Sequence, residues 1–423
     1  MRVAEAAQGK ERYPVNQIRG REARIAAIDA VRLTLPIEAP VLTSYGSLGR
    51  YARTLIMVRT EDGLTGYGEV SARVTPEMVA MFAPMIVGLS VWDTTIVTRR
   101  IKNWNYYAWS KPEPLMAALE MACLDLQGKI LDLPLYQLLG GKVHDAVPVA
   151  GYVFYRHANS AGEGEIHDTD AIVAYGKKLV DLYGFQSLKL KGGYFAPEQD
   201  RDALYAMRDT FGRDMGLRID PQGAWTVATA IRIGQQLEPL GLDYFEDPVW
   251  GAANMAQVRK SVRIPLATNM CVTQFEELYP AYQLGAVDVI LSDVWYWGGI
   301  KASLQLERIC STIGLDIGVH SSSELAVGWA AMVHMAAAMP GIRLSADFMN
   351  MHLTDDIAVG PRLMPKDGHV APPEGPGLGV VLDEEKLKKY AAAAADASNQ
   401  DRFVNPTLAD SERPGWYPRM PAW

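Results

Sequence analysis

The chain has 423 residues, of which 49% are hydrophobic and 21% charged, the balance of a soluble globular protein. That length exceeds one ordinary core and implies one large domain with a smaller companion. A net charge of −8 excludes the concentrated Lys and Arg surface that nucleic acid or an anionic membrane requires.

The N-terminal stretch mixes Arg, Glu, Lys and Gln without the apolar run of a secretory signal. No stretch of about 18 apolar residues marks a membrane span. Cys123, Cys271 and Cys310 are too scattered for a metal knuckle and fit a reducing compartment. The expectation is a cytoplasmic protein with neither nucleic-acid nor membrane partners.

Along the chain, Ala23–Leu35 and Thr54–Thr60 alternate as strands, and Glu61-Asp-Gly63 is a hairpin turn signal. Between the two segments, Thr43-Ser-Tyr-Gly-Ser-Leu-Gly49 reads as a flexible loop, and 43–50 as a candidate lid. Pro114–Ile130 repeats its apolar residues with helical period. Residues 1–145 therefore read as a small α+β domain.

From 146 to 371 the pattern changes. Short β-rich runs recur with helical stretches between them: Val147–Val153, Ser187–Lys191, Gly216–Asp220, Leu242–Glu246, Ile264–Thr268, Val287–Leu291, Leu315–Val319 and Ile342–Ser345. Eight such units predict a (β/α)8-type barrel. An open doubly wound sheet is the alternative, but its Gly-rich phosphate loop is missing, because Lys191-Gly-Gly193 lacks the G-x-G-x-x-G spacing. Residues 372–423 hold a Pro/Gly-rich stretch, a helix over Asp383–Ala397 and an aperiodic tail expected to pack on the first domain.

In a barrel, the loops after the carboxyl ends of the strands share one face. Strand two ends in Lys189-Leu-Lys191, and the next five end at Asp220, Glu246, Asn269, Asp293 and His320. The steps from Asp220 are 26, 23, 24 and 27 residues, one strand-plus-helix unit each. Asp220, Glu246 and Asn269 offer three hard oxygen donors on neighbouring strands, which suits Mg²⁺. Zinc would recruit His or Cys, and His320 reads as too far round the barrel to join them.

Strands two and seven lie about 135° apart in an eight-stranded barrel, so Lys191 and His320 would flank a substrate held at the metal. A proton beside a carboxylate is hardly acidic, and the site would need a base plus positive charge at the carboxylate oxygens. Mg²⁺ and Lys189 are expected to push the pKa of Lys191 down towards neutrality. Asp293 is placed to orient the imidazole of His320. His334, on an apolar helix, reads as structural.

These residues resemble the enolase superfamily. Glu120-Met-Ala-Cys-Leu-Asp-Leu-Gln-Gly-Lys129 and Pro134-Leu-Tyr-Gln-Leu-Leu-Gly-Gly141 look like its junction between cap and barrel. Lys189-Leu-Lys-Gly-Gly193, Asp220-Pro-Gln-Gly-Ala-Trp225, Glu246-Asp-Pro248, Ala267-Thr-Asn-Met270 and His320-Ser-Ser322 look like its glucarate dehydratase-like branch. The resemblance implies a (β/α)7β modified TIM barrel with an α+β cap built from the N-terminal region and the C-terminal tail. It implies Lys191 and the His320–Asp293 dyad as proton-transfer groups, Lys189 as electrostatic helper, and Asp220, Glu246 and Asn269 as Mg²⁺ ligands. The implied reaction is dehydration of a sugar acid to a 2-keto-3-deoxy acid, in a homo-oligomer.

Tyr152 matches a substrate-contacting Tyr of that branch, and Ser321 and Ser322 belong to the His320 motif. Where glucarate dehydratases carry sugar-gripping Asn or His, this chain has Leu42, Ser47, Gln222 and Met349. A distal carboxylate would meet Arg402, Arg50 or Arg53. Three other readings stay open: a racemase or epimerase using the same two bases, a non-catalytic binder of a metal and ligand, and a Schiff-base aldolase on Lys191, which would not need the metal set.

Overall fold

A computed structural model describes residues 23–104, 111–396 and 422–423. Arg402 lies outside the described residues. A three-stranded antiparallel sheet opens the chain: β1 (Ile25–Thr43), β2 (Gly46–Thr60) and β3 (Thr65–Ser71), in that order. The Glu61-Asp-Gly63 turn joins β2 to β3, with Gly63 at φ 86° donating its N–H to Thr60 O. Helices α1 (Pro76–Phe82), α2 (Thr94–Trp104) and α3 (Glu113–Leu131) follow. The helix α3 is apolar on nearly every side because it is buried between the cap sheet and the barrel helices. It approaches β3 so closely that a Cβ on Gly68 would sit 1.9 Å from Ala118 O. Glycine is the only residue that fits there.

The short helix α4 (Leu135–Leu138) leads into the barrel. Its units are β4 (Val147–Phe154) with α5 (Thr169–Tyr183), β5 (Ser187–Lys191) with α6 (Pro197–Phe211), and β6 (Gly216–Asp220) with α7 (Val227–Leu237). Next come β7 (Tyr244–Glu246) with α8 (Ala252–Arg259) and β8 (Leu266–Thr268) with α9 (Phe275–Leu284). Then β9 (Val289–Ser292) precedes α10 (Val294–Trp297) and α11 (Ile300–Ile313), and β10 (Asp316–Val319) precedes α12 (Ala326–Ala337) and β11 (Ala346–Phe348). The eight strands are parallel, in the order β10-β9-β8-β7-β6-β5-β4-β11. The barrel nearly closes, since β10 and the last unit share only the Ile317–Ile342 bridge. A two-residue strand, β12 (His369–Val370), adds antiparallel to β4.

Two expectations are corrected. The eighth strand is not Ile342–Ser345 but Ala346–Phe348, with the buried Asp347 at its centre. A search for apolar alternation passes over a strand whose middle residue is a carboxylate paired inside the barrel. The 43–50 segment is not a loop but the tip of the long β1–β2 hairpin, closed by Thr43 Oγ1 donating to Gly46 O at 2.6 Å.

Helix α13 (Glu384–Ala395), capped by Asp383 accepting from Glu385 and Lys386 N–H, packs against β1. Residues 397–421 of the tail expected to pack on the first domain lie outside the described residues; at its end both N–H groups of Ala422 and Trp423 donate to Ala224 O, and the Trp423 indole donates to Gly193 O at 3.2 Å. Among the described residues no helix is long and apolar enough to cross a membrane.

Candidate active site

The strand ends deliver the expected residues to one rim. Lys191, Asp220 and Glu246 are the last residues of β5, β6 and β7, while Asn269, Asp293 and His320 directly follow β8, β9 and β10. All six are buried. Three non-glycine residues in the left-handed region, Gln222 (φ 56°), Asp247 (φ 34°) and Ser323 (φ 70°), lie in the loops just beyond them. Backbone strain of this kind gathers at functional sites.

Lys189 and Lys191 point to the same interior, as alternate residues of one strand must, and each ammonium lies 5.0 Å from the ring of Tyr152. Lys191 Nζ donates to Asp220 Oδ2 at 2.5 Å. Lys189 Nζ donates to Asp347 Oδ2 at 2.6 Å and to Tyr152 OH at 3.2 Å, and ion-pairs with Glu246. The expected fall in the pKa of Lys191 counts Mg²⁺ among its causes, and the protein's own groups alone shift it the other way. Burial presses it downward with Lys189 adding to it, but Asp220, Glu246 and Asp347 together outweigh them and hold it above the usual lysine value.

The dyad assembles as expected. His320 Nδ1 lies 3.1 Å from Asp293 Oδ2. Burial pushes the Asp293 carboxyl up, yet hydrogen bonds from His320, Ser322 and the Trp295 N–H outweigh it and keep Asp293 ionised. An ionised carboxylate only accepts, so Nδ1 carries the proton. Burial, with Lys191 and Lys189 adding to it, holds the imidazole pKa below its ordinary value against the pull of Asp293. Nε2 is left with a lone pair, the form a base requires.

His320 is closer to the oxygen donors than the sequence reading allows. One terminal atom of the Asn269 amide lies 2.9 Å from His320 Nε2, and the other 3.2 Å from Glu246 Oε1 and 3.1 Å from Asp247 Oδ2. With nitrogen towards the carboxylates, the amide donates to both and its oxygen accepts from an Nε2–H. With oxygen towards Glu246, Nδ2 donates to the neutral Nε2, and two buried acceptors face each other with no proton between them. A proton on Glu246 or a cation makes that second arrangement favourable. Burial, with Asp220 adding to it, pushes the Glu246 carboxyl well above the usual range, which favours its neutral form when no cation is bound.

Asp220, Glu246 and Asn269 thus fit a hard divalent ion. One donor atom each of Glu246, His320 and Asp347 also fall within 4.8 Å of one another. Asp347, however, is already balanced by Lys189 and by Arg218 at 4.0 Å, and burial is outweighed there so that its pKa is lowered. Glu246, whose pKa is raised, is the donor at which a bound cation would replace a proton.

The residues expected to touch substrate are largely occupied by protein. Gln222 Oε1 accepts from Ser44 N–H at 2.9 Å, and Gln222 O from Ser44 Oγ at 3.2 Å, so the hairpin tip is seated on the loop after β6. Ser321 Oγ donates to Glu324 at 2.5 Å and accepts from Met349 N–H at 2.9 Å. Ser322 Oγ donates to Asp293. Arg53 is paired with Glu69 at 2.8 Å.

Sequence reasoning missed Asp347, Asp247 and Glu324. Asp247 accepts from Thr268 Oγ1 at 2.5 Å and from the N–H groups of Asn269 and Met270, fixing the turn that carries Asn269. The Glu246-Asp-Pro248 motif was the available signal. Glu324, raised by burial to about 7, had none.

Two family models cover most of the chain. The N-terminal domain of mandelate racemase / muconate lactonizing enzyme matches residues 27–140, and the enolase C-terminal domain-like model matches 171–386. A probable glucarate dehydratase of Streptomyces coelicolor is 35% identical over 95% of this chain and 100% of its own. An N-succinyl-L-Arg/Lys racemase of Bacillus cereus is 27% identical over 86% of this chain and 97% of its own. Among solved structures, an enolase of Thermobispora bispora complexed with magnesium and formate superposes with a TM-score of 0.89 at 36% identity, covering 95% of this chain and 100% of that one.

Proposed function

Because the chain belongs to the enolase superfamily, in its mandelate racemase / muconate lactonizing enzyme branch, we propose that it is a Mg²⁺-dependent dehydratase of an aldonic or aldaric acid. The observation that carries this reading is that Lys191 and His320, both buried, stand five strands apart along the barrel sheet, at the ends of β5 and β10, with the oxygen donors Asp220, Glu246 and Asn269 at the ends of β6, β7 and β8 between them. Asp220, Glu246 and Asn269 would hold Mg²⁺, and the ion when bound supplies positive charge where a substrate carboxylate gathers electron density.

In this reading one of the two groups takes the proton from the carbon beside the carboxylate. The other gives a proton to the β-hydroxyl as its C–O bond breaks, so water leaves and the enol that remains becomes a 2-keto-3-deoxy acid. Asp293 keeps the proton on His320 Nδ1, so that transfer runs through Nε2. Lys189 places a second cation beside the reacting carboxylate. Tyr152 faces the substrate beside Lys189 and Lys191, Gln222, Ser321 and Ser322 hold the loops around it, and a cytoplasmic homo-oligomer is part of the same proposal.

A second reading is favoured by the same geometry. Two bases on opposite faces can exchange the α-proton without any leaving group, which is racemisation, and a racemase is among the relatives. Incubation of aldonic and aldaric acids with Mg²⁺ in deuterated buffer separates the two. A keto acid from a few stereochemically related substrates supports dehydration. Deuterium at the α-carbon without keto acid supports racemisation, and neither signal from any acid overturns both.

A further inference from the structure

The cap sends one charged pair into the barrel. Arg53 on β2 and Glu69 on β3 are joined at 2.8 Å and almost wholly buried. Glu69 caps a barrel helix from across the domain boundary: its carboxylate accepts from Leu325 N–H at 2.9 Å and Gly328 N–H at 2.8 Å, at the start of α12. Arg53 reaches the dyad by two routes. Its Nη1 donates to Ser322 O at 3.2 Å, and the Ser322 hydroxyl donates to Asp293. Its guanidinium lies 4.5 Å over the ring of Trp295, whose N–H donates to Asp293 Oδ1 at 3.0 Å and whose indole donates to Glu69 O. Both routes converge on the carboxylate that orients His320.

We propose that Arg53 is a positioning residue: held by Glu69, it clamps Ser322 and Trp295 and so fixes Asp293 against His320, making the dyad depend on the seated cap. The inference rests on the reading of His320 as a proton-transfer group. A planar guanidinium can bond Glu69, bond Ser322 O and lie flat on an indole at once, whereas an ammonium cannot.

Arg53→Lys tests this, because it keeps the charge opposite Glu69 and removes the fork. The first arm needs no substrate. In a crystal structure of R53K, the Asp293–His320 contact is expected to open beyond about 3.5 Å. The second arm uses the α-proton exchange of an accepted acid in deuterated buffer. Exchange at the His320 face should fall about tenfold, the scale of one lost buried hydrogen bond, while exchange at the Lys191 face stays near wild type. An unchanged dyad, or equal losses at both faces, overturns the proposal. If no acid exchanges even with wild-type protein, the reading of the function fails, and the crystal structure still decides the positioning role. Should R53K not fold, E69Q, which leaves Arg53 without its anchoring charge, carries the same two arms.

Discussion

Lys189 Nζ lies 2.6 Å from Asp347 Oδ2, reaching past Tyr152 on β4 to tie β5 to β11 across the strand between them. Both side chains are buried, and Glu246 ion-pairs with the same ammonium. Removing Asp347 takes one buried negative charge from between Lys189 and Arg218 and leaves Glu246 as the partner of the ammonium. Asp347→Asn is therefore expected to destabilise the protein by about 3–5 kcal/mol, read as a lowered urea midpoint. The comparison is Glu198→Gln at the half-exposed Arg232–Glu198 pair, expected to change stability by less than about 1 kcal/mol. Equal, small effects at the two positions would mean that water reaches Asp347.

Metal binding gives a second test through stability. An ion that binds the folded chain at a hundred times its Kd stabilises it by about 2.7 kcal/mol. Thermal unfolding of the wild type should shift upward with Mg²⁺, and the shift should vanish in Glu246→Gln and in Asn269→Leu. A chelator should reverse it. Equal stabilisation of all three proteins would put the ion elsewhere.

The seat of the hairpin tip rests on few bonds. Gln222→Met removes the acceptor of the Ser44 N–H and leaves that donor buried and unpaired, which costs about 1–3 kcal/mol. The tip should leave the mouth more often, exposing the peptide after Tyr45 to chymotrypsin. Cleavage is expected to quicken about tenfold, since each 1.4 kcal/mol is a factor of ten in the open population. Unchanged cleavage with a raised KM would instead assign Gln222 to the substrate.

The barrel and its rim were legible because chemistry there is periodic: one donor per strand-plus-helix unit, from Asp220 to His320. What the sequence hid is what periodicity cannot encode. Asp347 broke the apolar rule for a strand because its charge is met by Lys189, far away in sequence. The loop at 43–50 looked flexible because Gly, Ser and Tyr suit a hairpin tip equally well, and its order comes from Gln222, 178 residues on from Ser44. The contact between Lys191 and Asp220 is hidden in the same way, since nothing in the spacing of the strand ends shows that a metal-ligand candidate stands 2.5 Å from the ammonium.

His334 offers a pH test outside the site. Its apolar helix predicts a structural role, and both ring nitrogens are satisfied in the neutral form: Nδ1 accepts from Tyr136 N–H and Nε2 faces Leu378 O, each at 3.3 Å. Burial lowers its pKa to about 4, against about 6.5 in the unfolded chain. The native state thus binds fewer protons than the unfolded state between those values. Its contribution is fully present above pH 6.5 and is lost as pH falls towards 4, by about 3 kcal/mol in all. His334→Gln can make both hydrogen bonds, through Oε1 and Nε2, and does not titrate. Between pH 7 and pH 4.5 the wild type should lose about 2–3 kcal/mol more than H334Q in urea unfolding. Carboxylates titrate in both proteins and cancel in the difference. Equal losses would show that the native fold accepts an imidazolium at this position, with the Leu378 carbonyl and a rotated Tyr136 peptide taking up its second proton.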